Sequence, residues 1–96
     1  MDVEVTGLGA DLELNIISIY PNPAQDYIMI ENSNYAVMGG YELRIMNSLG
    51  QTVFQSSFDD MIMQISASEI GAEGSYYIQV WNSTNQMIES KVLILN

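Results

Sequence analysis

Residues 75–81 read Ser-Tyr-Tyr-Ile-Gln-Val-Trp, and this short stretch decides the fold class. Tyr76, Ile78 and Val80 lie at every second position. The positions between and after them carry Tyr77, Gln79 and Trp81. A period of two residues is typical of a β-strand with one face on a core and the other facing water or a partner. The stretch therefore predicts a β-strand, and the same alternation can be sought in the rest of the chain.

The same alternation recurs on both sides of this stretch, interrupted by turn sequences such as Pro21-Asn22-Pro23. It predicts seven strands, at residues 12–20, 26–31, 41–47, 51–57, 61–66, 75–82 and 86–95. No segment has a helical period. Short strands at near-regular spacing favour a sandwich or a barrel, and we expect an all-β, immunoglobulin-like antiparallel β-sandwich of about seven strands.

The first predicted strand is irregular. Its alternation breaks between Ile16 and Ile17, which predicts a bulge or a strand that changes sheets. Residues 1–14 are interpreted as a leader or linker remnant, and residues 15–96 as a single folded domain, which is an ordinary domain size.

The charge of the chain excludes several partners. Twelve acidic residues face two basic ones, Arg44 and Lys91, for a net charge of −10. Two cations cannot make the six to ten phosphate contacts of a typical nucleic-acid binder, so nucleic acid is not expected as a partner. An anionic membrane surface is disfavoured for the same reason. Because no apolar run reaches eighteen residues, membrane insertion is not expected either.

The residue types also argue against catalysis. Cysteine and histidine are both absent, which removes thiol chemistry, the commonest general base and the commonest transition-metal ligand. Asp59 and Asp60 are interpreted as solvated turn residues. We expect no enzyme activity, no metal site and no cofactor.

Two aromatic residues share the outward side of the strand at 75–82. Tyr77 and Trp81 could stack on sugar rings or form an interface. They could equally be covered by the last strand or by the N-terminal segment, and the sequence leaves both readings open. The seven methionines are expected mainly as fillers of the core.

Four stretches follow one another in order along the chain. They are Ile-Ser-Ile-Tyr-Pro-Asn-Pro-Ala at 17–24, Tyr-Ile-Met-Ile at 27–30, a strand–turn–strand at 43–53, and Gly-Ser-Tyr-Tyr-Ile-Gln-Val at 74–80, which is followed by Lys-Val-Leu-Ile-Leu at 91–95. Taken together, they resemble the C-terminal sorting domain, type A, of the bacterial type IX (Por) secretion system. In that family the fold and its terminal strand are what the export machinery reads.

The residues that carry the resemblance also have plain physical roles. They are Tyr20, Pro21, Asn22, Pro23, Gly50, Gly74 and Tyr76. The two prolines fix φ and remove two donors, so they end the first strand at a rigid corner. Gly50 suits the positive φ of a hairpin turn, and Gly74 permits a left-handed or close backbone. Tyr76 is expected to bury its ring and to bond its hydroxyl to the backbone.

The resemblance implies a folded secretion signal at the end of a larger precursor, with a cargo domain on its N-terminal side. It implies export through the periplasm and outer membrane to the cell surface or the medium. The implied partners are the type IX translocon and a sortase-like peptidase, which would cleave this chain from its cargo.

We expect the recognised end to be Lys91, Val92, Leu93, Ile94 and Leu95. An exposed terminal strand can be read by strand addition, so a strand-paired or swapped homodimer is also expected to be possible. The alternative function is an immunoglobulin-like carbohydrate-binding or adhesion module that uses Tyr77 and Trp81. A plain spacer domain is a third candidate.

Overall fold

The computed structural model describes residues 17–32, 40–58 and 60–96. These residues form seven strands and one helical turn: β1 (Ile17–Tyr20), β2 (Tyr27–Asn32), β3 (Glu42–Asn47), β4 (Thr52–Ser57), β5 (Ile62–Ser66), α1 (Ala67–Ile70), β6 (Gly74–Trp81) and β7 (Met87–Leu95). Every strand boundary inside the described residues falls within one residue of its predicted position. The predicted start of the first strand, at residues 12–16, lies outside the described residues.

The strands form two antiparallel sheets. One has the order β1-β2-β5 and the other the order β4-β3-β6-β7. The first, second and fifth strands therefore form one sheet and the third, fourth, sixth and seventh the other, which is an arrangement of immunoglobulin-like sandwiches. The predicted fold class is confirmed. Within the described residues, no helix has the length and hydropathy needed to cross a membrane.

The single turn of helix, α1, was not predicted. Four residues are too few to produce a helical period in the sequence, and the turn is held by tertiary contacts instead. Ile70 is buried in the core, and the Ala67 N–H donates to the Asp26 carbonyl at 2.8 Å.

The core forms between the inward faces of the two sheets, as the alternation predicts. Its fully buried apolar side chains come from β1, β2, β3, β5, β6 and β7: Ile17, Ile28, Ile30, Leu43, Ile45, Ile65, Ile78, Val80 and Leu93. Each such side chain contributes about 1.5–3 kcal/mol by leaving water. The methionines were expected mainly in this core, and that expectation is wrong for Met61 and Met87, which are about half exposed. Met63 is partly buried and packs against the core.

The turn between β3 and β4 follows its sequence closely. Gly50 has φ +84°, as predicted for the hairpin position. The side-chain oxygen of Asn47 accepts hydrogen bonds from the backbone N–H of Leu49 and Gln51, both at 2.9 Å. This Asx-type turn satisfies the hairpin backbone locally and leaves Leu49 exposed.

Between β1 and β2, which both belong to the three-stranded sheet, the chain makes a short contact with the other sheet. Ile17 and Ile19 belong to β1 in the three-stranded sheet, while Ile16 lies outside the described residues. After Tyr20 the chain leaves that sheet, and Ala24 forms a parallel bridge with Leu95 at the edge of the four-stranded sheet. The proline-containing corner therefore connects the two sheets by one bridge before the chain returns to the three-stranded sheet in β2.

Candidate recognition site at the terminal strand

Asn22 ties the corner to the terminal strand β7. Its side-chain N–H donates to the Val92 carbonyl at 2.9 Å, and its side-chain oxygen accepts from the Ile94 N–H at 3.0 Å. A carboxamide carries both a donor and an acceptor, so one Asn side chain satisfies an outward carbonyl and an outward N–H of β7 together.

Ala24 continues this contact with its backbone. Its N–H donates to the Ile94 carbonyl at 2.9 Å, and its carbonyl accepts from the Asn96 N–H at 2.8 Å. The Tyr20–Pro21 and Asn22–Pro23 peptide bonds are both cis. We call residues 22–24, together with the edge of residues 92–96 that they cover, the terminal clasp. The outer edge of β7 is therefore already paired at its C-terminal half.

The five residues expected at the recognised end divide into two groups. Leu93 and Leu95 are buried in the core. Val92 is about half exposed, at 51%, and Ile94 is partly exposed. Lys91 is also partly exposed, and its ammonium lies 3.7 Å from a carboxylate oxygen of Glu89. In the folded domain, only Lys91, Val92 and Ile94 present side chains to a partner.

Glu89 is a residue of the terminal strand whose structural contacts were not predicted from the sequence. Its side chain is nearly buried, and one oxygen accepts a hydrogen bond from the Ile17 N–H at 3.2 Å. It therefore joins the first described residue of β1 to the terminal strand. A signal was present, because Glu89 shares the inward parity of Leu93 and Leu95, where a charge is costly unless it is paired.

Tyr76 has the predicted environment. Its ring is buried, and its hydroxyl donates to the Ala72 carbonyl at 2.6 Å. This is the tyrosine corner of immunoglobulin-like sandwiches, at the start of the sixth strand. Two glycines shape the loop before it: Gly74 has φ +147° as predicted, and Gly71 has φ +149°. A Cβ on Gly71 would lie 2.6 Å from the Tyr76 hydroxyl, so only glycine fits there.

The two outward aromatic residues of β6 differ in accessibility. The Arg44 guanidinium lies 4.2 Å from the centre of the Trp81 ring and pairs with Glu42 at 2.8 Å. The indole N–H donates to the Gln79 side chain at 3.0 Å. One face of Trp81 is therefore covered by the Arg44 guanidinium, and Met87 of β7 is its cross-strand neighbour, while the N-terminal segment lies outside the described residues. Tyr77 stays open and stands opposite Val92 in the register of β6 and β7.

Two ionisable groups are shifted by their neighbours. Hydrogen bonds from Gln55, which has the larger effect, and from Arg44 hold the pKa of Glu42 below its usual value of 4.5. The pKa of Tyr20 is raised above 10.0, mainly by desolvation and also by the charge of Glu31 and the hydrogen bond to that carboxylate. The Tyr20 hydroxyl donates to a Glu31 carboxylate oxygen at 3.3 Å. Within residues 17–32, 40–58 and 60–96, no group of three or more acidic side chains could hold a metal ion.

The family model of the secretion system C-terminal sorting domain matches residues 18–95, which include every strand except the first residue of β1. The chain belongs to this family. The sorting domain is the C-terminal sorting signal of type IX secretion cargo, and its family is not a family of enzymes. Proteins that carry it are exported by that system.

One solved structure with the same fold is that of PorZ, an essential bacterial surface component of the type IX secretion system of Porphyromonas gingivalis. It is 22% identical, with a TM-score of 0.62, over 95% of this sorting domain. The sorting domain spans only 13% of the PorZ chain. No curated protein matches the sequence.

Proposed function

We propose that this sorting domain is recognised by the type IX outer-membrane translocon at the C-terminal half of β7. The observation that carries the proposal is the terminal clasp. Four hydrogen bonds of 2.8–3.0 Å join residues 22–24 to residues 92–96, and two of them involve the side chain of the motif residue Asn22. A receptor can then bind a rigid surface without the entropic cost of ordering a flexible tail.

The surface offered to the receptor is the outer face of β7 and β6. Val92 and Tyr77 are cross-strand partners, and their side chains are 51% and 43% exposed. Ile94 extends the same face toward the end of the strand, and Met46 lies beside Tyr77 on β3. This half-exposed apolar row resembles the anchor of a protein–protein interface. Leu93 and Leu95 support this apolar row because their buried side chains hold β7 on the core.

Lys91 is proposed to have a double role. Its ammonium neutralises the nearly buried carboxylate of Glu89, and its exposed part is available to a receptor. An effect of Lys91→Gln on export is therefore interpreted together with the double variant Lys91→Gln/Glu89→Gln. In the double variant the Lys91 cation is still missing, but the Glu89 carboxylate is no longer left buried without its partner.

Strand addition to β7 is limited by the terminal clasp. A receptor strand or a second copy of the domain can pair with the C-terminal half of this edge only after residues 22–24 are displaced, which costs their hydrogen bonds. Side-chain contact on the outer face avoids this cost. For the same reason, the strand-paired homodimer is proposed only for variants that open the terminal clasp.

Processing is proposed to follow export. A sortase-like cysteine peptidase of the system would cleave within residues 1–14, between the cargo and the sorting domain at 15–96. The released cargo would remain on the cell surface or enter the medium. In this scheme the chain is the substrate of the peptidase and carries no catalytic group itself.

The test is an export assay with matched variants. The 96-residue chain is fused to the C-terminus of a fluorescent protein with a signal peptide, in a bacterium with a working type IX system. We expect the wild-type fusion outside the cell and Val92→Lys retained in the periplasm. Met87→Lys is the control, because Met87 is 48% exposed on the same strand and face as Val92.

Circular dichroism of each purified chain verifies that the folds are intact. Equal export of Val92→Lys and Met87→Lys would contradict recognition at this end of β7. If even the wild-type fusion stays in the periplasm while the host's own sorting domain is exported, the sorting function itself is refuted. The carbohydrate-binding alternative would then be examined at Tyr77, the open aromatic residue.

A further inference from the structure

An open cleft lies beside the corner, next to the residue that follows β7. It is lined by Pro21, Pro23, Gln25, Asp26, Tyr27 and Asn96. The corner residues have different contacts. The Asn22 side chain is hydrogen-bonded to β7, whereas Pro21 and Pro23 line the cleft. The sequence motif thus builds two features, the terminal clasp and this cleft.

The lining of the cleft is mixed: two prolines and a tyrosine lie beside Gln25, Asp26 and Asn96. Tyr27 is 43% exposed and the neighbouring Tyr20 is 41% exposed. Tyr20 pairs with Met29 in the register of β1 and β2, so Tyr20 and Tyr27 are diagonal neighbours on the outer face of this sheet. Diagonal neighbours stand about 7–8 Å apart, within reach of one ligand side chain.

The only side chain in the lining that is charged at neutral pH is acidic. The carboxylate of Asp26 is exposed and makes no hydrogen bond or ion pair with any described residue. Glu31, which accepts the hydrogen bond of Tyr20, adds a second negative charge on the same face. The cleft therefore combines proline rings, a tyrosine ring and an uncompensated carboxylate.

The chain has no cation of its own to place there. Its only basic residues are Arg44, which pairs with Glu42, and Lys91, which pairs with Glu89. Both stand on the four-stranded sheet, and neither lines the cleft. The net charge of −10 further attracts a basic partner over a distance of about one Debye length.

We propose that this cleft binds an arginine side chain of a basic partner protein, with the guanidinium between the Tyr27 ring and the Asp26 carboxylate. The apolar stem of arginine suits the proline walls, and its planar head can both stack on an aromatic ring and pair with a carboxylate. A bare divalent metal ion fits poorly, because it needs several oxygen ligands. That the partner belongs to the export machinery rests on the proposed function. That the cleft binds arginine rests only on its lining residues.

Binding is measured first on the isolated 96-residue chain. The ¹⁵N-labelled protein is titrated with N-acetyl-arginine methylamide at low salt and followed by NMR. We expect amide shifts concentrated at Gln25, Asp26, Tyr27 and Asn96, with Trp81 unchanged. N-acetyl-norleucine methylamide and N-acetyl-glutamate methylamide are the probe controls. Shifts spread evenly over the acidic surface, or equal shifts with norleucine, would overturn the proposal.

Two variants test the roles of the lining residues. Asp26→Asn is expected to weaken arginine binding about two- to fivefold, the range for an exposed charge pair. Glu73→Gln is the control, because Glu73 is an equally exposed carboxylate without a hydrogen bond or ion pair to any described residue. Tyr27→Leu keeps an apolar wall but removes the aromatic face, and it is also expected to weaken binding. Unchanged binding in Asp26→Asn would overturn the proposal.

Export separates this proposal from the sorting function. In the fluorescent fusion, Asp26→Arg is expected to reduce export and Glu73→Arg to leave it unchanged. Normal export of both variants, together with normal export of the wild type, would refute the role of the cleft and leave the sorting function standing. If the wild-type fusion is itself not exported, the sorting function fails, and the arginine titration alone decides the cleft.

Discussion

Tyr76 and Tyr77 are neighbours on β6 with opposite environments. The Tyr76 hydroxyl is held by the Ala72 carbonyl at 2.6 Å, whereas Tyr77 faces outward with no hydrogen bond to a described residue. We expect Tyr76→Phe to lower the free energy of unfolding by about 1–2 kcal/mol, because the bond is lost and the carbonyl is left partly buried. Tyr77→Phe is expected to change it by less than about 0.5 kcal/mol.

Urea denaturation followed by the fluorescence of the single tryptophan, Trp81, measures both variants. A Tyr76→Phe variant as stable as Tyr77→Phe would mean that the tyrosine corner contributes nothing here.

Glu42 makes the free energy of unfolding depend on pH. Gln55 and Arg44 hold the pKa of the folded carboxyl below the ordinary 4.5. Because the folded pKa is the lower one, the ionised form contributes stability above about pH 4.5, and this contribution is lost as the pH falls through the folded pKa. We expect Gln55→Ala to move the pKa of Glu42 back toward 4.5, as measured by NMR titration of the side-chain carboxyl carbon.

The control for this titration is Gln64→Ala, which removes an exposed glutamine from the other sheet. An unchanged Glu42 pKa in Gln55→Ala would show that the 2.7 Å hydrogen bond between these side chains does not form in solution.

At the scale of elements, the terminal clasp decides how β7 ends. Asn22→Ala removes two hydrogen bonds to β7, each worth about 1 kcal/mol. We expect the Ile94 amide to exchange with solvent about fivefold faster or more, while the amide of Ile78 in the centre of the sheet changes less. Asn22→Asp keeps the acceptor for the Ile94 N–H and is expected to lie between Asn22→Ala and the wild type.

Hydrogen exchange followed by NMR measures these rates, with Gln25→Ala as the control for a neighbouring exposed carboxamide. Equal protection of Ile94 in all four proteins would contradict the terminal clasp. An increase in dimer with Asn22→Ala, seen by light scattering, would support strand pairing at the opened edge.

At the scale of the whole molecule, β7 is part of the core as well as a surface for recognition. Deleting residues 87–96 removes the buried Leu93 and Leu95 and leaves β6 as an unpaired edge. Two buried leucines at about 2–5 kcal/mol each rival the total stability of a small domain. We expect this deletion to abolish cooperative thermal unfolding, as measured by circular dichroism, while Val92→Lys keeps it.

Loss of export after this deletion would therefore not distinguish a missing signal from a missing fold. A truncated chain that still unfolds cooperatively would contradict this description of the core.

The strands, their parity and the hairpin at Gly50 were predictable from sequence because they depend on local rules. Alternation of apolar residues determines which side of a strand is buried, and a glycine after a short polar turn determines where it reverses. Tyr76 followed the same logic, since a buried hydroxyl must find a partner. The four-residue α1 escaped prediction because a single turn leaves no period to detect. The exposed methionines escaped it because Met61 lies just before β5 and a register shift between Met87 and Glu89 puts Met87 on the outer face.

The sequence by itself thus determined the all-β fold, the inward face of each strand, the acidic surface and the family. Only the tertiary structure decided that Asn22 pairs with a strand seventy residues later, that Glu89 receives the Ile17 N–H, and that Arg44 covers Trp81. The physical reason is range. Strand formation depends on neighbours in the chain, whereas these contacts depend on how two sheets stack and which edges meet, which no local pattern encodes.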